Sequence, residues 1–117
     1  MKSPTKNIAL TLAKQCREII ENKKAEDVVV LDLREVTSVA DYFVICSGTS
    51  EPHLKALADT LTTDLRAHGF RPNNQAGDAA SRWIVLDYGD VLVHIFHPEM
   101  RGRYSLDHLW GDAKRVR

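Results

Sequence analysis

The 117-residue sequence is poor in the features that would assign it to a specialised class. It has two cysteines, Cys16 and Cys46, with no CxxC spacing. That excludes a disulfide scaffold and a cysteine-based metal knuckle, and it leaves two reduced, buried small hydrophobes as the expectation. Six glycines and four prolines exclude a collagenous or low-complexity chain. No apolar run approaches the ~18 residues of a membrane span. The opening Met1 to Asn7 leads into an amphipathic segment rather than a signal-peptide core, so the cytoplasm is the expected address. An organellar protein whose transit peptide has been removed is compatible with the same sequence.

Net charge is also missing: 16 basic side chains balance 16 acidic ones. The balance is uneven along the chain. Residues 1–26 hold six basic and three acidic side chains, residues 98–117 five and three, and residues 27–97 five and ten. A field of this kind over the middle favours a basic partner and disfavours a phosphate backbone. A continuous Lys/Arg patch with interleaved aromatics is absent, so neither sequence-specific nucleic-acid binding nor a small RNA-binding module is expected.

What is present is a hydrophobic content of 44%, in patterns that alternate between helix and strand. Ile8, Leu12, Cys16, Ile19 and Ile20 share a helical stripe ending near Asn22, with Ser3-Pro4 or Thr5 as its cap. Val28 to Leu33 and Tyr42 to Cys46 read as strands. Ser50 fits an N-cap, Pro52 a first turn, and Leu54, Leu57, Ala58, Leu61 and Leu65 a buried stripe that Gly69 ends. Phe70 to Ser81 reads as a loop with room for one short edge strand. Pro98 to Tyr104 suggests a short helix, and Ser105 can cap a last turn carrying Leu106, Leu109 and Trp110. The order predicts one α/β (α+β) domain over residues 1–117 with a mixed sheet.

Trp83 to Leu86 and Val91 to Phe96 form a hairpin around Gly89-Asp90 or Tyr88-Gly89. In either register Ile84, Leu86, Val91, Val93 and Ile95 share an aliphatic face that belongs to the core. The other face carries Trp83, Val85, Leu92, His94 and Phe96, edged by Asp87. Its composition fits a docking surface, a cross-strand Trp83–Phe96 pair under a second helix layer, or a contact between two copies of the chain.

The chemistry is sparse. His94 and His97 are three apart on a strand and point to opposite faces, so no metal site is expected. Cys46 in an apolar strand is a poor thiolate. Ser47-Gly48-Thr49-Ser50 lies between a strand and a helix, where free amides can hold an anion, but it lacks the Lys of a P-loop. A nucleotidyltransferase corner would need two carboxylates on one strand face, and Asp87 and Asp90 straddle a turn.

Three separate segments, Asp41 to Ser50 (DYFVICSGTS), Trp83 to Phe96 (WIVLDYGDVLVHIF) and Tyr104 to Asp112 (YSLDHLWGD), resemble the Iojap family of ribosomal silencing factors. The likeness spans about residues 7–116. It implies a nucleotidyltransferase-like fold lacking catalytic carboxylates, no enzyme activity and no cofactor. It also implies binding to the large ribosomal subunit through its fourteenth ribosomal protein, so that joining of the small subunit is blocked and translation falls when nutrients are scarce. On that basis Trp83 is the expected anchor, with Tyr88, His94 and Phe96 around it and Asp87 and Glu99 as charge partners. Tyr104 either extends the surface or supports the short helices. A homodimer of the free protein through the same hairpin face would compete with this partner.

Overall fold

The computed structural model describes residues 4–100, 111 and 113–116, with side chains from Ile8 onward. Among the described residues the long helices α1 (Pro4–Asn22) and α2 (Glu51–Ala67) accompany the strands β1 (Glu26–Asp32), β2 (Tyr42–Ser47), β3 (Asn74–Asp78), β4 (Trp83–Asp87), β5 (Val91–Phe96) and β6 (Lys114–Arg115). The strands form one mixed sheet in the order β3-β4-β5-β2-β1-β6. β2 runs parallel to β5, and every other neighbouring pair is antiparallel. The expected mixed-sheet α+β class is therefore the observed one.

Helices α1 and α2 both pack on one face of the sheet. From α1 come Ala9, Leu12, Ala13, Cys16 and Ile20, from α2 Leu54, Leu57, Ala58, Leu61 and Leu65, and from the sheet Val30, Val44, Ile84, Leu86, Val91, Val93 and Ile95. Ile8 departs from the expected stripe and is 52% exposed. At about 100° per residue it lies a quarter-turn off the Ala9–Leu12–Ala13–Cys16–Ile20 axis, so it clears the sheet. Ile19, also off that axis, is only partly buried.

The start of α2 is built as its residues require. Ser50 takes an extended conformation, and its hydroxyl accepts the amide of His53 at 3.2 Å. Pro52 sits in the first turn, where its missing N–H leaves no acceptor unsatisfied. The cap expected before α1 falls on Ser3, outside the described residues, and Thr5 lies inside the helix rather than ahead of it.

A second core occupies the opposite face: Leu31, Leu33, Ala40, Phe43, Ile45 and Phe96 are buried, with Val29, Trp83, Leu92, Met100 and Ala113 packed around them. All six residues of β2 are consequently buried, which explains why Tyr42 to Ser47 shows no polar alternation. Cys16 and Cys46 are fully buried thiols that form no disulfide with each other. Burial pushes the Cys16 thiol up to about 12, which leaves it protonated and unreactive at neutral pH.

The hairpin selects one of its two expected turns. Tyr88 donates its amide to Val91 at 2.9 Å, which leaves Gly89 and Asp90 as the two-residue connection. Gly89 has φ +85°, the left-handed value that a Gly-first turn demands. The segment Phe70 to Ser81 contains the expected edge strand as β3, paired antiparallel to β4. Residues 98–100 are helical; the rest of the expected short helix and the last turn at Leu106, Leu109 and Trp110 lie outside the described residues.

Candidate docking groove

The groove is built on the face of the sheet opposite the helices. Register places Trp83 across from Phe96, Val85 across from His94, and Asp78 and Ala76 of β3 beside Trp83 and Val85. The indole of Trp83 stacks on Phe96, with ring centres 4.9 Å apart and planes inclined by 25°. Its Nε1–H donates to His94 Nδ1 at 3.4 Å. Phe43 closes on the other side of the imidazole at 4.7 Å. Trp83 is half-buried, its ring held by Phe96 and His94, and Phe43 packs in turn on the His94 imidazole.

Beside it lies an apolar groove of about 280 Å³ lined by Ala76, Gly77, Ser81, Trp83, Val85 and Met100. Small residues on β3 leave it open. A methyl group added at Gly77, whose φ is +73°, would stand 2.0 Å from the Trp83 carbonyl oxygen. Only glycine lets the two strands approach there. At the rim, Arg82 and Glu99 form an exposed ion pair of 2.9 Å, and Ser81 is held by hydrogen bonds to Asp78.

The expected site residues divide into four groups. Trp83 lines the groove and Glu99 stands at its rim. Phe96 and His94, 0% and 7% exposed, are buried and cannot present themselves to a partner, which corrects their expected role as contacts. The reason is the second core, whose Met100 and Ala113 lie over this face. The Trp83–Phe96 cross-strand pair is thus real, and it supports the one ring of the two that reaches the surface. Burial lowers the His94 imidazole to about 4, so it is neutral; the Trp83 donor leaves the proton on Nε2, which has no hydrogen-bond partner among the described residues.

Asp87 and Tyr88 are not brought to the groove. Asp87 sits at the far end of β4, where its carboxylate accepts the amide of Gly89 at 2.7 Å and fixes the turn. Tyr88 packs against the helix-side core, and burial raises its hydroxyl to about 12. Tyr104 lies outside the described residues. Val85, Ala76, Gly77, Ser81 and Met100 complete the groove without having been singled out as site residues. Alternation along the hairpin already placed Val85 on this face, whereas nothing in Asn74 to Asp78 signals a wall.

The Ser47–Ser50 corner has its own internal partners. The Thr49 amide donates to His53 Nδ1 at 2.9 Å, and His53 Nε2 donates to the Lys23 carbonyl at 2.9 Å. Two of the amides an anion would need, those of Thr49 and His53, are already engaged. Among the described residues no His, Cys, Asp and Glu cluster is arranged to hold a metal, and no helix is long and apolar enough to cross a membrane.

A mixed sheet with α1 and α2 on one face and an apolar groove walled by Trp83 on the other defines a small α+β domain. The chain belongs to the family described as ribosomal silencing factor during starvation, whose sequence model matches residues 6–117. It is 40% identical over 97 residues to the ribosomal silencing factor RsfS of Halalkalibacterium halodurans, covering 83% of each chain. It is equally 40% identical over 93 residues to that of Bacillus subtilis, covering 80% of this chain and 79% of the relative. A crystal structure of a Chromobacterium violaceum protein superposes with a TM-score of 0.83 at 30% identity, over 87% of this chain and 85% of the other.

Proposed function

We propose that this protein represses translation by binding the large ribosomal subunit through its fourteenth ribosomal protein and blocking the approach of the small subunit when nutrients are limiting. It acts in the cytoplasm as a single domain spanning residues 1–117, without a cofactor and without chemistry. The observation that carries the reading is the Trp83 indole, held on Phe96 and His94 at the wall of an apolar groove in a chain of this family. A rigid, half-exposed aromatic beside a pocket is the residue type and setting that dominates binding energy at interfaces. Occlusion needs affinity and position only, and the excess of acidic side chains over residues 27–97 favours a basic ribosomal protein as the surface met.

Trp83 and Met100 make the contact in this reading, Glu99 provides a charge at the rim, and Phe96 and His94 act through Trp83 by fixing its ring. The test is co-sedimentation with purified large subunits, small subunits and whole ribosomes. The wild-type protein binds free large subunits alone. Trp83→Ala weakens that binding by at least ~2 kcal/mol, about thirtyfold, while keeping its fold. Sedimentation with none of the three particles, or unchanged binding of a folded Trp83→Ala protein, refutes the proposal.

A further inference from the structure

β3 is one of the two edge strands of the sheet, opposite β6, and all five of its residues are exposed. The register shows which of its backbone groups are directed outward. Tyr88 donates its amide to Val91, and the Arg82 carbonyl accepts the amide of His97, both at 2.9 Å, so the even-numbered residues of this segment hydrogen-bond toward β5. Antiparallel strands alternate, so Trp83, Val85 and Asp87 turn their backbone groups toward β3. Their partners in register are Asp78, Ala76 and Asn74. The amides and carbonyls of Gln75 and Gly77 consequently point away from the sheet.

Two grooves flank this edge. On one face lies the Trp83, Val85 and Met100 groove. On the other, between β3 and α2, lies a second of about 320 Å³ whose lining includes Ala58, Ala79 and Ile84, with Asp59, Asp78 and Lys55 as its charged residues. A strand laid along β3 would direct successive side chains alternately into the two. Edge strands that avoid company carry lysine, proline, other charges or bulges; β3 has one charge, Asp78 at its end, and Asn74 to Gly77 carries none.

We infer that β3 accepts an extended segment of the protein's basic partner as an additional strand, with large apolar side chains entering the Trp83 groove and Lys or Arg at intervening positions meeting Asp59 and Asp78. This rests on the ribosomal reading above and gives its partner a backbone conformation and a sequence pattern. A second copy of β3 does not fit the role. Paired antiparallel on itself, it would direct only Asn74, Ala76 and Asp78 toward the Trp83 face, none of them a large apolar side chain for that groove. Main-chain bonds supply the affinity in such additions, and the alternate pockets supply the choice of partner.

The test is Gln75→Pro, which deletes an outward amide without touching the ladder to β4, against Gln75→Ala, which keeps it. With purified large subunits, Gln75→Pro binds at least about tenfold more weakly than wild type and Gln75→Ala binds within about twofold. In the wild-type complex the Gln75 and Gly77 amides exchange hydrogen slowly; in the free protein they exchange fast. Equal binding by Gln75→Pro, with both amides still fast in the complex, overturns the strand addition and leaves the ribosomal reading standing. A wild-type protein that fails to bind large subunits overturns both. Gln75→Pro turning a dimer into a monomer while subunit binding is unchanged assigns the edge to a second copy and also overturns it. If Gln75→Pro does not fold, amide exchange in the wild-type complex decides alone.

Discussion

Acidification should weaken this protein through one imidazole. His94 is buried among Phe43, Phe96 and Trp83, and it is held neutral with its proton-affinity midpoint near 4 against 6.5 when free in solution. The unfolded chain therefore binds a proton that the folded chain refuses between those values. Stability is complete above the unfolded midpoint and falls as the pH drops below it, levelling off only near the folded one. At 1.36 kcal/mol per pH unit the full interval amounts to roughly 3 kcal/mol, and by pH 5 about 2 kcal/mol of that is already lost. Protonation at Nδ1 would also remove the acceptor of the Trp83 N–H, so the indole should loosen in the same range.

Urea unfolding followed by circular dichroism at pH 7 and pH 5 measures the effect, with His94→Gln as the reference because it retains an acceptor and does not titrate there. Carboxylates contribute to both proteins alike and cancel in the difference. Wild type should lose about 2 kcal/mol more than His94→Gln over that interval. Equal losses would show that His94 is not kept neutral by its surroundings, and the account of how Trp83 is supported would fall with it.

Two further substitutions test local construction. Gly77→Ala places a methyl 2.0 Å from the Trp83 carbonyl oxygen at a positive φ, so it should cost at least about 2 kcal/mol in urea unfolding and distort the groove; an unchanged midpoint would mean that β3 and β4 are not this close. Ser50→Ala removes the hydroxyl that accepts the His53 amide and should lower stability by about 1 kcal/mol while leaving subunit binding intact.

Much of the fold was legible because periodicity and turn chemistry are local. The α2 stripe from Leu54 to Leu65 needed only helical spacing, and Gly89 with the flanking alternation set the hairpin faces whichever turn was chosen. The site was only partly legible, for three physical reasons. Alternation puts Trp83, His94 and Phe96 on one face but does not tell what lies above it, and Met100 and Ala113, which pack against that core, follow the hairpin in segments with no strand or helix periodicity to aim them. Tyr88 sits next to the turn, where the pleat no longer decides direction, and it falls to the helix side. β3 reads Asn-Gln-Ala-Gly-Asp and has no apolar alternation, so its part in the groove emerges only from its pairing with β4.

The one parallel pair among the described strands also imposes an order of events. Tyr42 and Val91, which meet in the β2–β5 register, are separated by roughly fifty residues, so that contact closes late compared with the β1–β2 and β4–β5 hairpins. During synthesis β2 emerges with the hydrogen-bonding edge that meets β5 unpaired, and its apolar faces only partly covered, until β5 has followed it from the ribosome. The interval is a window for aggregation rather than a defect of the finished molecule.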